Sequence, residues 1–426
     1  MTTADARPLG LWTATSLVVG IMIGSGIFLL PATLAPYGAA SLLGWSITFG
    51  GALSLAMVFA WLSRTIPANG GVYAYARAAF GDQVGFLVAW SFWVYQWCGN
   101  AALAVGFAGG VSAVFPAATA TPLRAMLCAL IALWVCAFVN LAGAREGGRM
   151  QLATTLIKLV PLVLFGVVGF FYIEPGAYQP FNPSGQSLVS VSSTVAALTL
   201  WAFLGLESAT VCSSTIKNPE RNVPRATLLG MLIAGSVTML VCTVVLGLLP
   251  ASALQNSTAP MADAASRLWG PGAGIAVGVI AMISIFGALN GSTLTQAQAP
   301  LAAAQDGLFP KIFAKLDARQ TPWLGLLISS SLASALVIAN SSASLVTLFS
   351  FSILLSTAAA LLPYAICAAA WLRMNPGASK PKKLIAIAAF IYSLWALVGT
   401  GMQSLIWGAG LLVAGVVVYL FCLGKK

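Results

Sequence analysis

The chain of 426 residues is 59% apolar and only 7% charged, with a mean hydropathy of +0.94. A soluble domain carries roughly 25% charged residues, so the composition excludes one and predicts an all-α integral membrane protein. The net charge of +11 is no nucleic-acid signature: apart from Arg124, Arg267 and Lys158, the Lys and Arg residues fall in alternate loops or at the termini. By the positive-inside rule that side is cytoplasmic, which predicts a multi-pass protein of the inner (plasma) membrane with both termini inside. Met1 to Gly10 has no signal-peptide organisation and is expected to stay attached.

Apolar runs separated by charged or Pro/Gly-rich turns predict twelve spans, near 11–36, 41–63, 84–113, 123–142, 150–173, 189–213, 224–249, 272–302, 322–340, 344–371, 384–402 and 404–423. They make one polytopic domain over 1–423 with no soluble part. The segments Arg64–Gln83, Ser213–Val223, Ala303–Thr321 and Leu372–Lys383 read as cytoplasmic loops, and Phe171–Leu188 and Pro250–Pro271 as external ones.

The first span carries Gly24, Ser25 and Gly26 at its middle. Glycine is costly inside a helix, and two of them flanking a serine favour unwinding. In lipid, unwound backbone survives only where protein or a water-filled cavity satisfies its N–H and C=O groups. Two readings follow: a close helix–helix contact through small residues, or a broken helix of the kind that builds substrate sites in secondary transporters. The third span adds Tyr95, Gln96 and Asn100 as candidate pocket residues, and the fifth adds Lys158, the one basic residue at membrane depth. That lysine either snorkels to an interface or acts as a proton-coupling switch.

The sixth span repeats the peculiarity of the first, with Gly205 and the ionisable Glu207 inside Thr199–Ser208. Two interrupted helices five spans apart point to an inverted repeat, about 11–173 and 189–371, with helices 11 and 12 (about 384–423) appended as a hairpin. An acid in a span is functional by default, though a hydrogen bond to unwound backbone is the alternative for Glu207. Trp201, beside this break, is either core or a gate over the site. The eighth span offers Asn290 and Ser292, and the tenth Ser352 and Ser356. Seven cysteines, odd in number and without a CxxC pair, read as small buried residues, and there is no histidine. No cofactor or metal is expected, and no enzyme chemistry.

The run Ile23-Gly24-Ser25-Gly26-Ile27-Phe28-Leu29-Leu30-Pro31 is followed in order by Gly70-Gly71-Val72-Tyr73-Ala74-Tyr75-Ala76 and Thr199-Leu200-Trp201-Ala202-Phe203-Leu204-Gly205-Leu206-Glu207-Ser208. Lys217–Pro224, Asn256–Pro260 and Asp306–Pro310 complete the set. On these motifs the chain resembles the amino acid–polyamine–organocation (APC) family, nearest to its arginine–agmatine and putrescine–ornithine exchangers. The resemblance implies the LeuT-like 5+5 inverted repeat with broken helices 1 and 6, and alternating access. It implies a site lined by Ile23, Ser25, Gly26, Trp201, Phe203 and Leu204, a gating tryptophan at Trp201, and a gating or pH-responsive acid at Glu207. Lys158 marks a departure: the arginine–agmatine exchanger lacks this lysine, whereas proton-coupled and some exchanging permeases of the family have one here, its ammonium standing in for a sodium ion between helices 1 and 8.

A free amino acid offers a carboxylate, suited to the N–H groups of Ser25 and Gly26 at a half-helix N-terminus. Its ammonium suits carbonyls freed at the breaks, Ile23 and Trp201 to Leu204. The exchangers have a tryptophan where Ser292 stands, and its absence argues against arginine. So does the lack of an acid among Tyr95, Gln96, Asn100, Asn290, Ser292 and Ser356. The expected function is secondary-active amino-acid transport, by exchange of amino acids or amines or by proton-coupled symport through Lys158. A channel is the remote alternative, disfavoured because no ring of charges or filter sequence appears. The expected partners are a small amino acid or amine, protons in the symport case, and the lipid bilayer; a homodimer is left open.

Overall fold

A computed structural model of the chain describes residues 10–66, 70–141, 144–211, 213, 216–317, 321–339 and 344–423, with backbone alone for 144–154, 156, 422 and 423. Among the described residues all long elements are helical. By length and composition eight helical stretches suit a bilayer crossing, and three shorter apolar helices, Ile157–Phe170, Leu188–Phe203 and Trp323–Ala339, accompany them.

The first predicted span is two helices, α1 (Leu11–Met22) and α2 (Gly26–Leu34), followed by α3 (Ser41–Thr65). The segment predicted as a plain loop after α3 contains a helix, α4 (Val72–Phe80), whose Val72, Tyr73, Tyr75 and Ala76 are buried. Its hydrophobic face packs under the bundle, which the charge at Arg77 disguises in a hydropathy average. Then come α5 (Asp82–Val114), α6 (Pro122–Leu141), α7 (Ala144–Phe170) and α8 (Leu188–Leu200). Past α8 the chain makes a 3-10 turn over Trp201–Phe203 before the single turn α9 (Ser208–Val211).

The second half holds α10 (Pro219–Leu248), α11 (Ala251–Leu254), α12 (Pro260–Trp269), α13 (Pro271–Gln305), α14 (Trp323–Ala339), α15 (Leu345–Met374), α16 (Lys380–Gly399) and α17 (Gly401–Leu423). The segment 250–271, predicted as a loop, thus carries two helices; α12 begins with Pro260, whose fixed φ and missing N–H suit a first turn. The core is packed around α5, which is buried along most of its length and touches α13, α15 and α14. By contrast α17 exposes Ile406, Val413, Leu420 and Phe421, an apolar face that hydrocarbon would cover. Cys98, Cys128, Cys136, Cys242 and Cys367 are free thiols. Cys212, Met1–Leu9 and Gly424–Lys426 lie outside the described residues, and with them both ends used in the orientation argument.

Candidate functional site

Ile23, Gly24 and Ser25 leave the helix between α1 and α2, with Ile23 at ψ 74°. The N–H groups of Ser25, Gly26 and Ile27 have no hydrogen-bond partner among the described residues, because the first bonds of α2 run from Phe28 and Leu29 to the Ser25 carbonyl. Three free donors at a helix N-terminus make an anion-attracting end. All of it is buried.

The second break lies against the first. Gly205 takes φ +101°, and a Cβ there would stand 2.6 Å from Ile21 Cγ2. Glycine is required on both counts. Trp201 lies over Gly26, where a Cβ would meet its Cδ1 at 3.1 Å, and its Nε1 donates to Ser25 Oγ at 3.3 Å. Phe349 meets the indole edge-on at 6.5 Å. The carbonyls of Ala202 and Leu204 have no partner among the described residues.

Several expected ligands are otherwise engaged. The Trp201 and Phe203 carbonyls accept N–H bonds from Leu204 and Leu206. The Phe203 ring turns away from the break and packs edge-on against Trp45 and Phe49, since successive residues of a 3-10 turn face about 120° apart. Its placement in the pocket is therefore corrected. The Ile23 carbonyl accepts from Lys158 Nζ at 2.7 Å and from Ser284 Oγ at 3.3 Å, which leaves no lone pair for a substrate ammonium. Asn290 Oδ1 accepts from Asn140 Nδ2 at 2.8 Å, which ties α13 to α6, and its Nδ2 has no partner among the described residues.

Lys158 is fully buried and does not reach an interface; its second bond goes to the Gly20 carbonyl at 2.7 Å. It comes from α7 and meets the last turn of α1, with Ser284 of α13 on the same Ile23 oxygen. Glu207 is bound on both oxygens: Tyr95 donates to Oε1 at 3.3 Å, while Tyr364 at 2.6 Å and the Gly205 N–H at 3.1 Å donate to Oε2. This one acid links α5, the second break and α15. Ser356 Oγ donates to the Tyr95 carbonyl at 2.9 Å, and Ser292 Oγ to Gln96 Oε1 at 3.4 Å. Asn100 Nδ2 donates to Gln296 Oε1 at 2.6 Å.

Sequence reading missed Tyr364, Ser284, Gln296 and Asn140. Tyr364, Ser284 and Asn140 are isolated polar residues in apolar runs, whereas Gln296 is one of a polar stretch with Ser292, Thr293, Thr295 and Gln298. At one end of the bundle Arg77 pairs with Asp82 at 2.8 Å and with Asp306 at 2.9 Å, and Tyr73 donates to Asp306. Burial first, then the hydrogen bond to Asp306 and its charge, raise the Tyr73 phenol above its ordinary pKa, so it stays a donor. The contact joins α4 to the end of α13 and lies on the side read as cytoplasmic.

Apolar helices of bilayer length around a buried double break define a multi-pass membrane transport protein, not an enzyme. Residues 9–423 match the family model described as amino acid permease. The chain belongs to that family, within the amino acid–polyamine–organocation transporters. It is 31% identical to the putrescine transporter PotE of Escherichia coli (strain K12) over 416 residues, 96% of this chain and 94% of the relative. It is 35% identical to the cadaverine/lysine antiporter of the same strain over 339 residues, 79% of this chain and 75% of the relative.

Proposed function

We propose that the protein is a secondary-active carrier that exchanges amino acids or amines by alternating access. The observation that carries this reading is the junction of the two breaks. The free N–H groups of Ser25, Gly26 and Ile27 suit a carboxylate, the unclaimed carbonyls of Ala202 and Leu204 suit an ammonium, and Trp201 packs over Gly26 at the junction. The similarity to a putrescine transporter supports a carrier of amino acids or amines, and the similarity to a cadaverine/lysine antiporter supports exchange. In this reading twelve spans form inverted repeats over 11–173 and 189–371, with 384–423 as an added hairpin. An odd number of crossings in each repeat points the second copy the other way. Glu207, bridging three elements, is the group whose contacts change as the bundle rocks. Purified protein in liposomes, assayed for labelled amino-acid uptake with and without internal unlabelled substrate, tests the reading. Strong trans-stimulation is expected, and uptake indifferent to internal substrate refutes exchange.

A second reading, proton-coupled symport, is favoured by one observation: among the described residues the partners of the buried Lys158 ammonium are carbonyls. A pH gradient added to the same assay decides between the two.

Trp201→Ala is expected to weaken binding by roughly 30-fold or more, about 2 kcal/mol, which exceeds the roughly 0.5–1.5 kcal/mol that an aromatic contact contributes over its burial. It also opens a cavity, with a stability loss of about 3–5 kcal/mol. Lower thermal stability with unchanged binding would make Trp201 plain core.

The same reading puts both termini on the cytoplasmic side, from the Lys/Arg distribution. A cysteine introduced beside Lys426 is expected to react with an impermeant thiol reagent only after the cells are opened. Reaction in intact cells would reverse the orientation derived from the Lys/Arg distribution.

A further inference from the structure

The face of α5 that runs along both breaks can be read residue by residue. Tyr95 reaches Glu207; a Cβ on Gly99 would touch Trp201 Cη2 at 3.3 Å; a Cβ on Gly24 would meet Leu103 Cδ2 at 3.0 Å; and one on Gly106 would meet Ser25 Cβ at 2.5 Å. Gln96 and Asn100, one helical turn apart, flank this stripe on the side of α13, where Ser292 and Gln296 repeat the same spacing. The result is a two-rung polar ladder beside the double break.

The ladder is incompletely bonded. Gln96 Oε1 accepts from Ser292, but its Nε2 has no partner among the described residues. Asn100 gives Nδ2 to Gln296, whose own Nε2 goes on to Ser330 at 3.1 Å, and Asn100 Oδ1 is left buried without a donor. One free donor and one free acceptor thus stand on adjacent turns of a single helix. A buried polar atom without a partner, as Asn100 Oδ1 is, is costly, and a ligand supplying the missing bond is a sufficient reason for it.

The charges point the same way. Glu207 is the only one of nine acids inside a predicted span, and its two oxygens already take three hydrogen bonds. Lys158 puts a positive charge on the first break, with no carboxylate partner among the described residues. A substrate with a second ammonium would find no carboxylate bonded to the Gln96–Asn100 ladder among the described residues, and Lys158 would repel it. Position 292 is a serine, so no aromatic face at that rung compensates the charge. We infer that the transported side chain is uncharged and hydrogen-bonding, a carboxamide or a hydroxyl read by Gln96 and Asn100, instead of the second ammonium that lysine, cadaverine and putrescine carry. This inference rests on the amino-acid site proposed above.

The test uses the purified protein in liposomes preloaded with unlabelled candidates: glutamine, asparagine or threonine in one set, lysine, ornithine, putrescine or cadaverine in the other. Labelled glutamine is expected to exchange against the first set, with the cations roughly 100-fold weaker, the order of penalty for burying an unpaired charge. Cations that exchange as well as or better than the neutral set overturn the inference while leaving the carrier reading intact. If nothing in either set exchanges, both fall. Gln96→Ala is expected to lower the preference for glutamine over alanine, as a ratio of KM values, by roughly tenfold. An unchanged ratio in a variant of wild-type Tm removes Gln96 from the pocket and sinks the assignment.

Discussion

Lys158→Ala is expected to abolish accumulation driven by a pH gradient and to slow exchange by roughly 100-fold, in protein that still inserts and purifies. The ammonium makes two charge-assisted bonds of 2.7 Å, to the Gly20 and Ile23 carbonyls, from a residue more than 130 positions away in the chain. Bonds to charged groups contribute about 1.5–3 kcal/mol each, and carbonyls left unsatisfied in a buried site add a desolvation cost. A loss near 3 kcal/mol corresponds to about 100-fold in an equilibrium that the transport cycle must traverse. Fold survival is expected because the bonds hold one unwound turn, while α1 and α7 also pack through apolar side chains. Lys158→Met, which keeps most of the volume, should resemble Lys158→Ala if the charge is what matters. Should either variant retain full gradient-driven uptake, the lysine has no part in coupling, and Glu207 becomes the titrating candidate. A proton drives a conformational shift only by stabilising one conformation more than the other. Wild-type insensitivity to the gradient combined with strong trans-stimulation would leave Lys158 as a fixed cation holding the broken helix.

Gly26→Leu is expected to eliminate measurable substrate binding, a loss of at least about 100-fold, with little change in expression. A Cβ at this position already approaches Trp201 Cδ1 to 3.1 Å, Leu30 Cδ1 to 3.4 Å and Ala202 Cβ to 3.5 Å. The remaining leucine carbons would occupy the space in front of the Ser25, Gly26 and Ile27 N–H groups and push the indole off the break. Overpacking of this sort costs about 1–3 kcal/mol, partly offset by up to about 1 kcal/mol of better helix propensity at the start of α2. The variant should therefore fold, and the binding loss should exceed the stability loss. Gly26→Ala should fall between, since a lone Cβ at 3.1 Å asks Trp201 to give by a few tenths of an ångström. Equilibrium binding and Tm measured on the same preparations separate the effects. Wild-type affinity in folded Gly26→Leu would refute the substrate site at this break.

Some of this was written in local sequence. Hydropathy locates the helices, because a bilayer crossing demands a long apolar run and leaves few alternatives. The unwinding at 23–25 was visible because Gly24-Ser25-Gly26 weakens a helix wherever it stands, and Gly205 in its positive-φ conformation marks the second break for the same reason. Lys158 and Glu207 stood out as charges in hydrocarbon-length segments. What each meets was decided by tertiary structure alone. Tyr364, which donates to Glu207, lies 157 positions further on, and Ser284, which shares the Ile23 oxygen with Lys158, lies on a helix with no charged residue of its own. Rotation of the helices was equally hidden. Where nearly every residue is apolar there is no periodic contrast to say which face looks inward, so Phe203 passed for a pocket residue until packing turned it toward Trp45. The α4 helix escaped notice because its buried face spans only two turns and is fixed by contact with the bundle, such as the Cys367 thiol on the Val72 carbonyl, and not by its own hydropathy. Local composition sets where a chain can be helical in lipid, whereas close packing between helices far apart in sequence sets which side chains face one another.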